Sequence, residues 1–140
     1  MTRCRAVLKD FVRNEVAPPL AKAAHQRESS ASLQLIGTGG TASILGCMEA
    51  RLTTFDRQRL EATTLSLERL HWHVEQLWHL PLAERRQIVG LPANRADVIL
   101  TGAAIYEAIM RELDFKELKI STRGLRFAIV LEGTEVAAAG

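Results

Sequence analysis

The run LQLIGTGGTASILG, Leu33 to Gly46, constrains the fold more than any other stretch of this chain. LQLIG is short, apolar and bounded by turn signals on both sides, the pattern of a buried strand. After the glycines, TASILGCMEARL places Ala42, Leu45, Met48 and Leu52 in helical register. A strand, a glycine-rich turn and a helix in that order gather several backbone N–H groups and the positive end of the helix at one point, which suits an anion. GTGGT is not a Walker A loop, since no Lys-Ser/Thr pair follows, and not GxGxxG, since position 42 is alanine. The local pattern serves packing and phosphate contact about equally well. The Thr38 and Thr41 hydroxyls tilt it toward phosphate.

The rest of the chain is mostly helical in pattern. Val7, Leu8, Phe11, Val12 and Val16 recur at helical spacing, and Pro18 and Pro19 are expected to break or kink that helix before a second one, LAKAAHQRE. SSAS reads as a loop. Over FDRQRLEATTL the pattern weakens to a short strand or turn. Ser66 can cap a helix with the core stripe Leu67, Leu70, Val74 and Leu77 and with Glu68 in its first turn. Pro81 opens a short helix that Gly90 closes. Asn94 is expected to cap, and Asp97 to lie in the first turn of, a helix over 95–113 that is nearly apolar on every side. Gly102 inside it signals a close backbone approach. ELKIS is a further strand, and TRGLRFAIVLE turns at Gly124 into a helix. The expected class is α/β with helix dominant and few short strands.

At 140 residues the chain has the size of one domain, large enough to bury a core without disulfide or metal staples. The net charge is +2, with acids and bases interleaved as in RQRLE and LAERRQ, which argues against a nucleic-acid surface. No apolar run approaches the roughly 20 residues needed to span a bilayer, and the N-terminus lacks an apolar signal-peptide core. Cys4 and Cys47 lie far apart and outside any CxxC pattern. A cytoplasmic protein without membrane attachment is expected.

Beyond the glycine turn, two constellations can carry chemistry. STRGLR delivers Ser121, Thr122 and Arg123 to a second glycine turn, with Arg126 one turn further on; arginine forks bind phosphate, although arginines at a helix end more often pair with acids such as Glu117. In HWHVEQLWH, His71, Glu75 and His79 are four apart and could meet as metal ligands, but such a face is usually just solvated, and no metal site is assigned. Trp72 and Trp78 read as packing groups. Cys47, among apolar residues, reads as an inert buried thiol, and Ser43 lacks a nucleophile elbow.

Taken in order, LIGTGGTASIL, LPLAERRQIVGL, NRADVILTGAAI and STRGLR resemble the second half of the exopolyphosphatase/guanosine pentaphosphatase (Ppx/GppA) family, from about Leu35 to Leu131. The resemblance implies one half of an actin-like, ribonuclease-H-like phosphatase of two similar domains with a cleft between them. Such enzymes release terminal phosphate from polyphosphate or pppGpp with a divalent cation, magnesium or manganese. The family's first domain carries phosphate loops built on Asp-x-Gly and the catalytic carboxylate. This sequence contains no Asp-x-Gly, so no catalytic residue is assigned here, and the chain alone is expected to be inactive.

By resemblance, Gly37, Thr38, Gly39, Gly40 and Thr41 face the cleft, with Ser121, Arg123, Gly124 and Arg126 nearby. Three departures stand out: Ile44 where a polar residue is common, Glu61 and Ala62 where a histidine and a glycine are common, and Phe127 and Ala128 where Glu-Gly usually follows the last arginine. They motivate an alternative, a degenerate non-catalytic module that binds a nucleotide or a protein. The expected organisation is one domain over 1–140, with a helical lead-in over 1–32 and a flexible tail over 133–140. The expected partners are the substrate, a missing N-terminal domain and, across the exposed former interface, a second copy of the chain.

Overall fold

The structure is a computed structural model and describes residues 2–25, 33–124 and 127. Among the described residues the sheet has three strands, β1 (Leu35–Gly37), β2 (Thr64–Ser66) and β3 (Glu117–Ile120), in the order β1-β3-β2. β3 sits in the middle and alternates. Leu118 and Ile120 are buried while Glu117 and Lys119 are exposed, so one face can take helices and the other stays open. β1 runs parallel to β3, with Leu35 opposite Leu118 and Gly37 opposite Ile120, and β2 runs antiparallel, with Leu65 opposite Leu118. On the open face Ile36 and Thr64 both flank Lys119, and all three are exposed.

Three helices cover the other face: α3 (Gly39–Glu49), α5 (Leu67–His79) and α7 (Ile99–Glu112), where α1 (Thr2–Phe11), α2 (Ala17–His25), α4 (Arg57–Glu61) and α6 (Leu82–Arg85) are the remaining α-helices among the described residues. Ala42, Leu45 and Met48 of α3, Leu70, Val74 and Leu77 of α5, and Ile99, Ala103 and Met110 of α7 form one core with Leu65, Leu118 and Ile120. The stripes expected on α3 and α5 are thus largely the buried ones, although Leu67 is only half-buried and the buried Leu52 lies past the end of α3. Ser66 caps α5 as expected, accepting the Arg69 N–H at 3.2 Å. No helix among the described residues is long and apolar enough to cross a membrane.

Several local expectations are corrected. Pro18 and Pro19 do not break the first helix. A π-helical turn over Val12–Val16, with the Ala17 N–H donating to the Val12 carbonyl five residues back, absorbs the irregularity, and both prolines stand in the first turn of α2. Of the apolar face proposed for this helix only Val12 is buried, and Val7 and Phe11 are exposed. FDRQRLEATTL holds both a helix, α4, capped by Asp56 accepting the Arg59 N–H, and the strand β2. The helix expected over 95–113 begins only at Ile99; Ala93–Arg95 form a 3₁₀ turn, and neither Asn94 nor Asp97 caps or opens α7. What lies against Gly102 is a side chain rather than backbone, since a Cβ there would stand 2.5 Å from the Thr41 methyl. Trp72 and Trp78 are 47% and 43% exposed, so neither is a core group. The loop SSAS, the helix after Gly124 and the tail over 133–140 lie outside the described residues.

Two ionic clusters join the helices. Glu107 of α7, its side chain only 2% exposed, accepts from Arg5 of α1 at 3.1 Å and Arg111 at 3.0 Å, and meets His71 Nδ1 at 2.6 Å. Arg5 also reaches Glu75 at 2.6 Å, which holds the Glu75 carboxyl below its ordinary range. The metal reading of His71, Glu75 and His79 fails for that reason. Arg5 and Glu107 take up the first two, and His79 Nδ1 meets the Glu75 carbonyl on its own helix at 2.8 Å. In the second cluster His73 of α5 bonds Glu49 of α3 through Nε2 at 2.7 Å, and Arg69 grips the same carboxylate at 2.9 Å.

His73 Nδ1 is buried with no partner, so the neutral ring donates from Nε2 and keeps its lone pair on Nδ1. Burial outweighs the attraction of Glu49 and lowers the His73 pKa. The Glu49 carboxyl is lowered as well, because hydrogen bonds from Arg69 and His73 overcome its burial. Both signs run the same way. The unfolded chain takes up a proton on His73 near pH ~6.5, before the folded chain does, and later one on Glu49 near the ordinary carboxylate value. Stability present above those values is therefore lost as the pH falls. Thermal melts between pH 7.5 and 5 are expected to show a falling midpoint, and the fall is expected to be shallower in His73→Gln. A midpoint independent of pH in the parent chain contradicts this reading.

Candidate functional site

The parallel pairing of β1 and β3 sets the site. Gly37 ends β1 opposite Ile120 near the end of β3, and the Ser121 N–H donates to the Gly37 carbonyl at 2.9 Å. The two glycine turns therefore leave the sheet side by side at the carboxyl ends of neighbouring parallel strands, the edge where open α/β sheets take ligands. Thr38, Gly39 and Gly40 are exposed there, and Gly37 is buried.

Thr38 is the N-cap of α3, yet its side chain makes no capping hydrogen bond. The first N–H groups of this helix thus face outward with the positive end of the helix dipole behind them. Gly39 has φ +81, a conformation that favours glycine, but Gly40 does not, and a Cβ on Gly40 would meet nothing within 4 Å. Packing within the described chain gives no reason for glycine at position 40. Close approach of a ligand or another domain to the backbone would give one. Thr41 is half-buried with its side chain against Gly102, and it lines a hollow of about 270 Å³ together with Gly40, Ile44, Arg95, Val98 and Ile99.

On the other turn, Ser121 Oγ accepts the Arg123 N–H at 3.2 Å, and the exposed Arg123 guanidinium lies 5.2 Å from the Phe127 ring centroid. Among the described residues Arg123 has no carboxylate partner, and Glu117 does not pair with it. Gly124 is half-buried. Arg126 lies outside the described residues. The structure thus brings Gly37–Thr41 and Ser121–Gly124 together, and it adds two residues that sequence reasoning did not assign to the site. Arg95 was hidden because it was read as the first turn of a long helix. Glu61 of α4 accepts from the Thr122 hydroxyl and lies 3.3 Å from Arg57; its carboxyl is held below the ordinary range, first by the Thr122 hydrogen bond. The departure from histidine noted at position 61 therefore sets a negative charge against the second glycine turn.

Among the described residues no group of three or more His, Cys, Asp or Glu side chains is placed to hold a metal ion. The described donors do not fit a divalent cation. Cys47 is only half-buried, and burial pushes its thiol pKa up, away from nucleophilic use.

The profile of the Ppx/GppA phosphatase family matches residues 2–135. The chain belongs to that family. Solved structures agree at the level of fold. The crystal structure of the Aquifex aeolicus member of the Ppx/GppA family aligns with a TM-score of 0.77 at 20% identity, over 97% of this chain and 40% of that one. The type II variant of the Aquifex aeolicus Ppx/GppA phosphatase gives 0.75 at 21% identity, over 94% and 40%. An exopolyphosphatase from Cytophaga hutchinsonii gives 0.57 at 26% identity, over 84% and 37%. No curated protein matches the chain. The chain spans about 40% of the length of the Aquifex structures. As a Ppx/GppA member it is a largely helical α/β fold with few strands, matching part of a longer phosphatase chain.

Proposed function

We propose that this chain is the second domain of a Ppx/GppA-type phosphohydrolase of actin-like, ribonuclease-H-like architecture. It forms the wall of a cleft that holds inorganic polyphosphate or guanosine pentaphosphate while the terminal phosphate is released. The cation and the catalytic carboxylate come from the other domain. The observation that carries this reading is the uncapped N-terminus of α3, set by parallel strand pairing beside Ser121 and an Arg123 that has no carboxylate partner among the described residues. Amide donors, a helix dipole and a guanidinium then meet at one edge, as phosphate oxygens require. Arg95, at the hollow beside Gly40, fits a second phosphate contact, and the exposed Ile36, Phe55 and Val98 fit a surface that another domain covers.

Titrating the 140-residue chain with tripolyphosphate and following its amides by NMR tests the anion site. Shifts are expected at Gly37–Thr41 and Ser121–Gly124, weakened about tenfold by Arg123→Ala; a titration that leaves both turns unmoved removes the proposal. The degenerate, non-catalytic reading draws on one specific observation, the Glu61 carboxylate set against the second turn. If that charge only weakens a working anion site, Glu61→Gln is expected to bind tripolyphosphate several-fold more tightly, and more so at low salt. If Glu61→Gln leaves a negligible affinity unchanged, the non-catalytic reading gains the ground.

A further inference from the structure

A groove of about 570 Å³ opens where the end of α3, the outer side of α5 and the α6 turn meet, and it shares no lining residue with the hollow at Gly40. Trp72 lines it. Folding leaves this indole nearly half exposed, yet it is held firmly. The Arg69 guanidinium lies 4.6 Å from the ring centroid, and Arg69 is itself fixed by three hydrogen bonds to Glu49, at 2.9, 3.2 and 3.0 Å. Glu49 is fixed in turn by the buried His73, whose imidazole also meets the indole edge-on, with centroids 5.0 Å apart.

This relay has a physical consequence. An aromatic side chain already confined by a cation, a carboxylate and a buried imidazole loses little rotamer freedom when something stacks on it. Most exposed surface side chains lack that advantage. The rest of the lining suits a polar heterocycle. Gln76 and Gln87 each offer an amide donor and an acceptor, and Met48 and Ile88 supply apolar surface. Arg51, with φ 51, is exposed and has no carboxylate partner among the described residues. Glu49, already held by Arg69, and Glu84 both bring carboxylates to the lining, so a bare polyanion is less favoured there than a ring carrying a single anionic group.

We propose that this groove binds a planar, hydrogen-bonding heterocycle with an anionic substituent, of the class of a purine mononucleotide. The ring stacks on Trp72, its edge meets the Gln76 and Gln87 amides, and its phosphate pairs with Arg51. The volume lies within the range usual for small-molecule sites. The proposal does not rest on the cleft reading, because it uses none of the same residues.

Trp78→Phe leaves Trp72 as the single tryptophan of the chain, so its fluorescence reports this groove alone. Titrating that variant with GMP and with AMP is expected to give saturable quenching, together with NMR shifts of the Gln76 and Gln87 side-chain amides. Arg51→Gly, which suits the left-handed backbone at position 51, is expected to weaken binding about tenfold. Trp72→Leu, followed through the glutamine amides, is expected to weaken it by a similar factor of about ten. Ribose 5-phosphate, which has the anion but no ring, is expected to bind far more weakly than either nucleotide. The proposal is overturned if quenching does not saturate, if Arg51→Gly binds as tightly as its parent, if ribose 5-phosphate binds as well as GMP, or if shifts appear only at Gly37–Thr41 and Ser121–Gly124.

Discussion

Gly90→Ala is expected to destabilise the chain by about 3 kcal/mol or more, which for a domain of this size lowers the melting midpoint by roughly 10 °C. Two costs add. Gly90 has φ +87, and an L side chain in the left-handed region costs about 1 kcal/mol. Its Cβ would also stand 2.4 Å from the carbonyl carbon and oxygen of Cys47 and 2.6 Å from the Met48 nitrogen. Those are backbone atoms in the last turn of α3, and they cannot turn aside as a side chain can. Relief has to come from moving the loop after α6 away from the helix, which opens the packing around Leu91, another 1–3 kcal/mol by the usual cost of overpacking. Gly40→Ala is the control, since position 40 has open space and no positive φ, and its stability is expected to change by less than about 0.5 kcal/mol. Equal melting midpoints for the two variants in calorimetry contradict the account.

Glu107→Ala is the second large effect, about 2–3 kcal/mol. Removing one partner of a buried ion pair typically costs 3–5 kcal/mol because the other charge is left buried. The cost is smaller here, since the Arg5, His71 and Arg111 side chains remain 35%, 40% and 45% exposed and can turn to water. The loss is not spread evenly. α1 has no buried residue of its own, so beyond Val12 in the π turn its attachment rests on Arg5 at Glu107 and Glu75, with Arg13 at Glu112 further along. Hydrogen exchange is expected to rise through α1 in Glu107→Ala well before it rises at Leu118 in the sheet. Uniform acceleration across both would mean that the cluster holds the whole domain rather than one arm. Glu107→Gln, which retains acceptor capacity for the arginines, is expected to fall between parent and alanine variant.

How far the sequence discloses this molecule depends on the range of the interaction that decides each feature. The step from β1 through the glycines to α3 is local, and its apolar spacing and turn residues place it correctly. Ser66 as the cap of α5, with Leu70, Val74 and Leu77 beneath it, is local too. Features decided by partners far along the chain are less legible. Glu107 lies within ILTGAAIYEAIM, where periodicity marks only an apolar helix, and nothing nearby announces that Arg5 will arrive to satisfy it. Exposure of Trp72 and Trp78 is settled by which side of α5 the other helices leave uncovered.

The candidate site divides along the same line. Either glycine turn is visible by itself, but their meeting is a fact of strand order, since β3 could have paired elsewhere. Arg95 was obscured by a helix start placed a turn too early, where a 3₁₀ turn holds the residue outside α7. Glu61 was noted only as an unusual residue, and its effect came into view once Thr122 was seen bonded to it.

The pairing of Gly37 with Ile120 also bears on the order in which the molecule can assemble. Local turns of helix close within microseconds, whereas contacts spanning most of a chain wait for large loops to close and slow the whole folding reaction. During synthesis the first glycine turn therefore leaves the ribosome long before β3 exists to stand beside it. Until β3 docks, the strand before that turn has no parallel neighbour, and its free edge is open to another chain. The anion affinity proposed for this edge would thus be acquired late, and its appearance during refolding would time the docking of the central strand.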